Sequence, residues 1–404
     1  MLGRAWLPLS HTQEMSVFSK RSAFDRQPNA MARAVERARA RGQKLIDLTV
    51  SNPTTAGLPY EEDRILAALR APAALRYEPA SFGLDAARDA VATELGRDGV
   101  ELARERILLT ASTSEAYAFA FQLLCDPGDA VLVPAPSYPL LEHLAALSSV
   151  RLVPYRLAYD GAWHLDLDSL RRAAVPGVRA VFVVSPNNPT GSYLKRNELH
   201  AIAELGLPVV SDEVFARYPL TEDPQRIRSA LDGQGTLVLA LGGLSKLAAL
   251  PQLKLGWMLL GGPEHAVDEA LGRLELIADS YLSVAAPVQH ALPELFAATR
   301  STVEAIRVRT RENLARIRAE LSESPVSVLH VEGGWYAVLR LPQVKSEEAW
   351  GTELVEQAGV LVQPGWFFDF PGEPYAVVSL LTPSDQLGVG VRRLGEHCTS
   401  VLRL

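Results

Sequence analysis

Between residues 107 and 261 the chain alternates short apolar runs with longer amphipathic stretches. The runs are 107–110, 130–134, 150–155, 180–185, 207–211, 236–241 and 255–261. They are rich in Val and Leu, and Gly, Pro or Asp bounds most of them. Most show no in-out alternation, the pattern of a strand buried on both faces. Interleaved with helices, they predict an α/β fold: one large, mostly parallel seven-stranded sheet between helices. Residues 28–42, rich in Ala and Arg and closed by Gly42, predict a helix ahead of it.

Beyond the sheet region, residues 301–323 place apolar positions at helical spacing among many charges and predict a long amphipathic helix. Strand-like runs follow at 326–331, 335–341, 360–363 and 375–381, with a helical segment at 346–357 and a final helix near 385–402. This second region reads as a smaller α+β domain. The expected division is a loose tail or mis-assigned start at 1–14 and an N-terminal segment at 15–48 that packs with the small domain. A large domain spans 49–295, and an interdomain helix with the small domain spans 296–404.

Composition narrows the function classes. Of 404 residues, 48% are hydrophobic and 22% charged, which suits a globular chain and not a disordered one. The net charge of −7 offers no basic balance for nucleic acid. No apolar stretch reaches the roughly 18 residues of a membrane helix. The two cysteines, Cys125 and Cys398, lack CxxC spacing, which speaks against a disulfide framework or a zinc site and points to a reducing cytoplasm. No metal site is expected.

Four motifs fall at predicted carboxyl ends of strands, where open α/β sheets bind ligands. They are Leu108-Leu-Thr-Ala-Ser-Thr-Ser-Glu115, Val184-Ser-Pro-Asn-Asn-Pro-Thr-Gly191, Val210-Ser-Asp-Glu-Val214 and Gly242-Gly-Leu-Ser-Lys246. Singly, each reads as a turn, a cap or a surface lysine. Together they form a chemical set. A lysine forms a Schiff base with an aldehyde, and a buried carboxylate keeps a pyridine nitrogen protonated. A hydroxyl-rich helix N-terminus holds a phosphate, and an asparagine hydrogen-bonds a phenolic oxygen. The set describes pyridoxal 5′-phosphate (PLP).

With these motifs in order, the chain from about residue 28 resembles the fold-type I PLP-dependent aminotransferases of class I/II, the aspartate, aromatic and alanine aminotransferase group. Tyr77-Glu-Pro-Ala-Ser-Phe-Gly83, Pro127-Gly-Asp129, Pro134-Ala-Pro-Ser-Tyr-Pro139, Gly333-Gly-Trp-Tyr336 and Gln363-Pro-Gly-Trp-Phe367 extend the likeness. The resemblance implies Lys246 as Schiff base and proton shuttle in a ping-pong transfer from an amino acid or related amine to a 2-keto acid. It implies Asp212 at the pyridinium nitrogen, Asn188 at the phenolic oxygen and Tyr138 on the ring face. Ser112, Thr113, Ser114, Ser245 and Lys254 would surround the phosphate. Tyr77 would reach the phosphate of a neighbouring subunit, implying a homodimer. A PLP lyase or decarboxylase on the same fold is the alternative. A non-catalytic sensor domain would need a DNA-binding domain ahead of it.

Three positions depart from the pattern that the resemblance implies. Phe215 stands where a tyrosine would donate to the phenolic oxygen, so a raised Schiff-base pKa is expected. Lys254 and Gly243 stand where an arginine and a serine would be. Val377 stands where an arginine would hold the substrate carboxylate, leaving Arg340 and Arg217 as replacement candidates or a donor without that carboxylate.

Overall fold

The computed structural model describes residues 17–403 apart from 25, 26, 234 and 373, so the expected tail at 1–14 lies outside the described residues. Fourteen strands occur among them: β1 (Ile46–Asp47), β2 (Ile107–Thr110), β3 (Ala130–Ala135), β4 (Arg151–Tyr159), β5 (Trp163–Leu165), β6 (Val178–Val184) and β7 (Val209–Asp212), then β8 (Val238–Gly243), β9 (Gly256–Gly261), β10 (Ser327–Val328), β11 (Tyr336–Arg340), β12 (Val360–Leu361), β13 (Gln363–Pro364) and β14 (Tyr375–Ser379). The main sheet has eight strands in the order β2-β9-β8-β7-β6-β3-β4-β5.

All seven apolar runs of the sheet region are strands of this sheet. The eighth, β5, is a short antiparallel return on β4 that carries too few residues to show a pattern. β9 runs antiparallel to both its neighbours, β2 and β8, and the remaining six strands share one direction. The carboxyl ends of β2, β3, β6, β7 and β8 therefore open on one edge, where the amino end of β9 also lies.

Strands that look uniformly apolar feed two different cores. Val131, Val133, Ala180, Phe182, Val210, Leu239 and Leu241 face one side, where the helices Thr113–Leu124, Leu140–Leu147 and Glu264–Asp279 cover them. Ala130, Leu132, Val181, Val183, Val209 and Val238 face the other side. Period-two orientation with no polar face is what a doubly covered sheet requires.

The smaller α+β region is built on an antiparallel sheet in the order β10-β11-β14-β13. Ala337, Leu339, Ala376 and Val378 point into a core with the helices Arg300–Glu320 and Ser384–Leu402. Tyr336, Val338, Tyr375 and Val377 point the other way, into the core shared with the main sheet. The run expected at 360–363 is split into β12 and β13. β12 pairs with β1 instead, and the helix Ala30–Ala40 packs Met31, Ala34 and Ala38 against Val355. The helical segment 346–357 is a helix, Glu347–Glu353, that passes into a π turn at Leu354–Ala358.

The two regions are joined at several places, and one junction is built around Glu332. Lys195 Nζ reaches Glu332 Oε2 and Asp223 Oδ2, both at 2.7 Å, and Tyr193 N donates to the same Glu332 oxygen at 3.0 Å. Gly191, at φ +74°, lies so close to Val331 and the Gly333 carbonyl that no Cβ fits there.

Candidate active site

The sheet edge and the small sheet enclose a cavity of about 900 Å³. Its lining includes Ser112, Thr113, Ser114, Tyr138, Asn188, Asp212, Ser245, Lys246 and Lys254. Nine of the ten site residues expected from the sequence therefore meet in one place. The tenth, Tyr77, is 81% exposed and lies away from this cavity.

Ser112 caps the helix Thr113–Leu124, its Oγ accepting from Glu115 N at 3.2 Å, so the first-turn N–H groups face the cavity edge. Behind this turn β9 approaches with no side chain. A Cβ on Gly256 would lie 2.8 Å from the Ser112 carbonyl carbon and 2.9 Å from Thr113 N. The same crowding accounts for Gly243, where a Cβ would lie 3.1 Å from both Gly256 Cα and the Leu255 carbonyl. There is little room for the serine that the resemblance implied. Replacing Gly256 with Ala is expected to displace the helix start at a cost of about 1–3 kcal/mol. Equilibrium titration of the cofactor-free variant with PLP should show weaker binding.

Lys246 lies in a one-turn helix, Leu244–Leu247, held from outside by Tyr218, whose hydroxyl donates to the Lys246 carbonyl at 2.6 Å. Tyr60 likewise donates to the Ala249 carbonyl at 2.8 Å. The Lys246 amine lies 4.9 Å from the Trp335 ring centroid and 5.7 Å from that of Phe215. Burial brings its pKa down to about 8, against the opposing pull of Asp212. An amine so placed is a nucleophile near neutral pH. Phe215 therefore contributes an aromatic wall, with Trp335 edge-on at 5.2 Å.

Asp212 ends β7 inside the protein. Its Oδ1 accepts from Val214 N at 3.1 Å and its Oδ2 from the Tyr117 hydroxyl at 2.8 Å. Burial pushes its carboxyl pKa up, while these bonds and the nearby Lys246 charge hold it down. Asn188 presents a buried Oδ1 with no hydrogen-bond partner. Tyr138, 37% exposed, stands on the loop after β3, tied down where Ser137 N donates to the Phe368 carbonyl at 2.9 Å.

The two arginines considered as substitutes for an arginine at 377 are both corrected by the structure. Arg217 is tied to Glu94 at 2.8 Å and Asp98 at 2.6 Å, outside the cavity. Arg340 lies two residues beyond Val338 on β11, its guanidinium 5.8 Å from the Tyr159 ring and not among the cavity residues. Val377 is buried between Gln363 and Val338 in the sheet register. The residues that sequence reasoning missed are Tyr117, Ser51, Gln363 and Arg39, all lining the cavity. Tyr117 alone had a readable signal, its place one helical turn after the Ser-Thr-Ser run.

Residues 43–381 match the family model described as aminotransferase class I and II. The chain belongs to this family. The aminotransferase is 27% identical over 382 residues to the glutamate-pyruvate aminotransferase AlaA of Escherichia coli (strain K12), covering 91% of this chain and 94% of that protein. It is also 27% identical to the alanine aminotransferase of Mycobacterium tuberculosis, covering 90% of this chain and 88% of the relative. Among solved structures it superposes on an alanine aminotransferase from Pyrococcus furiosus with a TM-score of 0.84 at 25% identity, covering 95% of this chain and all of that one. An aminotransferase from Escherichia coli gives 0.82, also at 25%, covering 95% and 98%. The enzyme is thus a PLP-dependent aminotransferase that transfers amino groups by a ping-pong mechanism. Among the described residues no group of three His, Cys, Asp or Glu could hold a metal, and no helix is long and apolar enough to cross a membrane.

Proposed function

We propose that the cavity holds PLP between Lys246 and Asp212 and passes amino groups from an amino acid or related amine with an apolar side chain to a 2-keto acid. The observation that carries this reading is the meeting of the Lys246 amine, with a pKa near 8, and the buried Asp212 carboxylate in one cavity beside a hydroxyl-lined helix N-terminus. Asn188, buried in the same lining, carries the amide N–H donor that a phenolic oxygen would accept from.

The cofactor supplies an aldehyde for the amine and a pyridine ring that withdraws electrons from the reacting carbon. Everything else falls to the chain. Asp212 keeps the ring nitrogen protonated, and Asn188 bonds the phenolic oxygen. Ser112, Thr113, Ser114, Ser245 and Lys254 hold the phosphate, and Tyr138 covers one face of the ring. Lys246 would move the proton at the reacting carbon. Tyr77, so exposed in one chain, completes the phosphate site of a second copy, making the enzyme a homodimer. Two free cysteines support a cytoplasmic setting.

The donor preference follows from the outer walls of the cavity. Met31, Val35, Leu140, Leu144, Leu361 and Phe367 are among its lining, with Glu36 and Arg39 as the charged groups on the same helix as Met31 and Val35, while Val377 offers the small sheet no cation there. Single-turnover absorbance with a panel of amino acids and amines tests the reading. Apolar donors should convert the cofactor to its amine form fastest, and a 2-keto acid should restore the spectrum. Fastest conversion by aspartate or glutamate would overturn the preference.

A further inference from the structure

Asp212 is gripped by a residue outside the roles assigned above. Tyr117 lies on the helix Thr113–Leu124, whose first turn caps the hydroxyl-lined end of the cavity. Thr113 and Tyr117 are four residues apart, so about 6 Å of helix separates them along one face. The Tyr117 ring is buried and stacks on Phe182 of β6, with centroids 5.9 Å apart and planes within 12°, and Phe121 stacks on Phe182 in turn at 5.2 Å. This packing aims its hydroxyl at Asp212 Oδ2, 2.8 Å away.

We propose that Tyr117 is a positioning residue that holds Asp212 ionised and oriented toward the cofactor's ring nitrogen, coupling that carboxylate to the helix that cradles the phosphate. The proposal rests on the reading of Asp212 as the partner of that nitrogen. A desolvated carboxylate takes up a proton readily, and a hydroxyl donor on one oxygen opposes this by stabilising the anion. The other groups that face Asp212 are Val214 N on Oδ1 and the Lys246 amine from the segment after β8. Glu213 is next along the chain, but its carboxylate is turned to Ala230 N at 2.7 Å and the Ser211 hydroxyl at 2.9 Å. The Tyr117 hydroxyl is itself pushed well above the usual tyrosine range by burial and by the Asp212 charge, so it stays a donor.

Tyr117→Phe keeps the ring stack and removes one oxygen. Titration of the cofactor-free protein with PLP should show affinity weaker by about tenfold, the order of a hydrogen bond to a charged group. The acid limb of the affinity-versus-pH curve should move to higher pH. The melting temperature of the cofactor-free protein reports a merely structural role, and a drop in it with an unmoved acid limb would overturn the proposal. Asp212→Asn serves as the reference. If it moves affinity and pH limb while Tyr117→Phe moves neither, the Tyr117 proposal fails. If neither variant moves them, the assignment of Asp212 itself fails. In the Asp212→Asn background, Tyr117→Phe should add no further change to the acid limb.

Discussion

Replacing Lys246 with Ala is expected to lower turnover by about 10⁴-fold, the upper end of what a positioned proton-transfer group contributes. It should also abolish covalent capture of PLP by the cofactor-free protein. The pH dependence of that capture in the unaltered enzyme is the sharper signature. Capture requires the neutral amine, and burial lowers the Lys246 pKa to about 8. The rate should therefore rise with pH, bend near pH 8 and level above it. An amine at the ordinary lysine value would still be gaining at pH 10. Stopped-flow absorbance across that range distinguishes the two, and a rate still climbing at pH 10 would show that the cavity does not desolvate the amine.

Asp212→Asn is expected to cost about 10²- to 10³-fold in turnover, comparable to losing one preorganised charge-stabilising group at a reaction centre. The amide keeps the shape but carries no charge to hold a protonated ring nitrogen. The same substitution acts on Lys246, because the Asp212 charge is what pulls the amine's pKa upward against burial. Removing it should move the bend in the capture profile below pH 8. Steady-state kinetics and the capture profile thus read two consequences of one substitution. Finding turnover reduced with the bend in place would mean that the two groups do not sense one another.

The chemistry of the site was legible because its residues sit in short motifs after strands, and a parallel sheet gathers strand ends on one edge. Asp212, Asn188 and Lys246 could be brought together on that basis alone. Arg217 and Arg340 could not be judged, because an arginine's availability depends on its partners. Glu94 and Asp98 take up Arg217 through contacts more than a hundred residues apart in sequence. Tyr117 is hard to single out for a different reason: one aromatic within Ala-Tyr-Ala-Phe-Ala-Phe on a helix reads as core, which its ring is. Its place one turn after the Ser-Thr-Ser run puts it near the cavity, but the position of its hydroxyl is what reveals a second role. β12 and β13 read as one strand in the sequence because a run of four apolar or neutral residues conceals a change of pairing partner. That change is what brings Gln363 to the cavity beside Val377.

The fastening by Lys195, Glu332 and Asp223 fixes one side of the junction between the two regions. At that side, Gly191 is pressed against Val331 and the Gly333 carbonyl, so a side chain there would displace one of them. The cavity itself is lined by the helix Ala30–Ala40 and by the turn that carries Trp366 and Phe367, which the bond from Ser137 N to the Phe368 carbonyl ties to the main-sheet region. A substrate wider than the cavity would therefore press on these side chains, which line it, and not on the fastening, which does not. Bulk added at Val35 or Phe367 would then narrow the range of donors, whereas bulk near Gly191 would act on the integrity of the protein before it acted on choice of substrate.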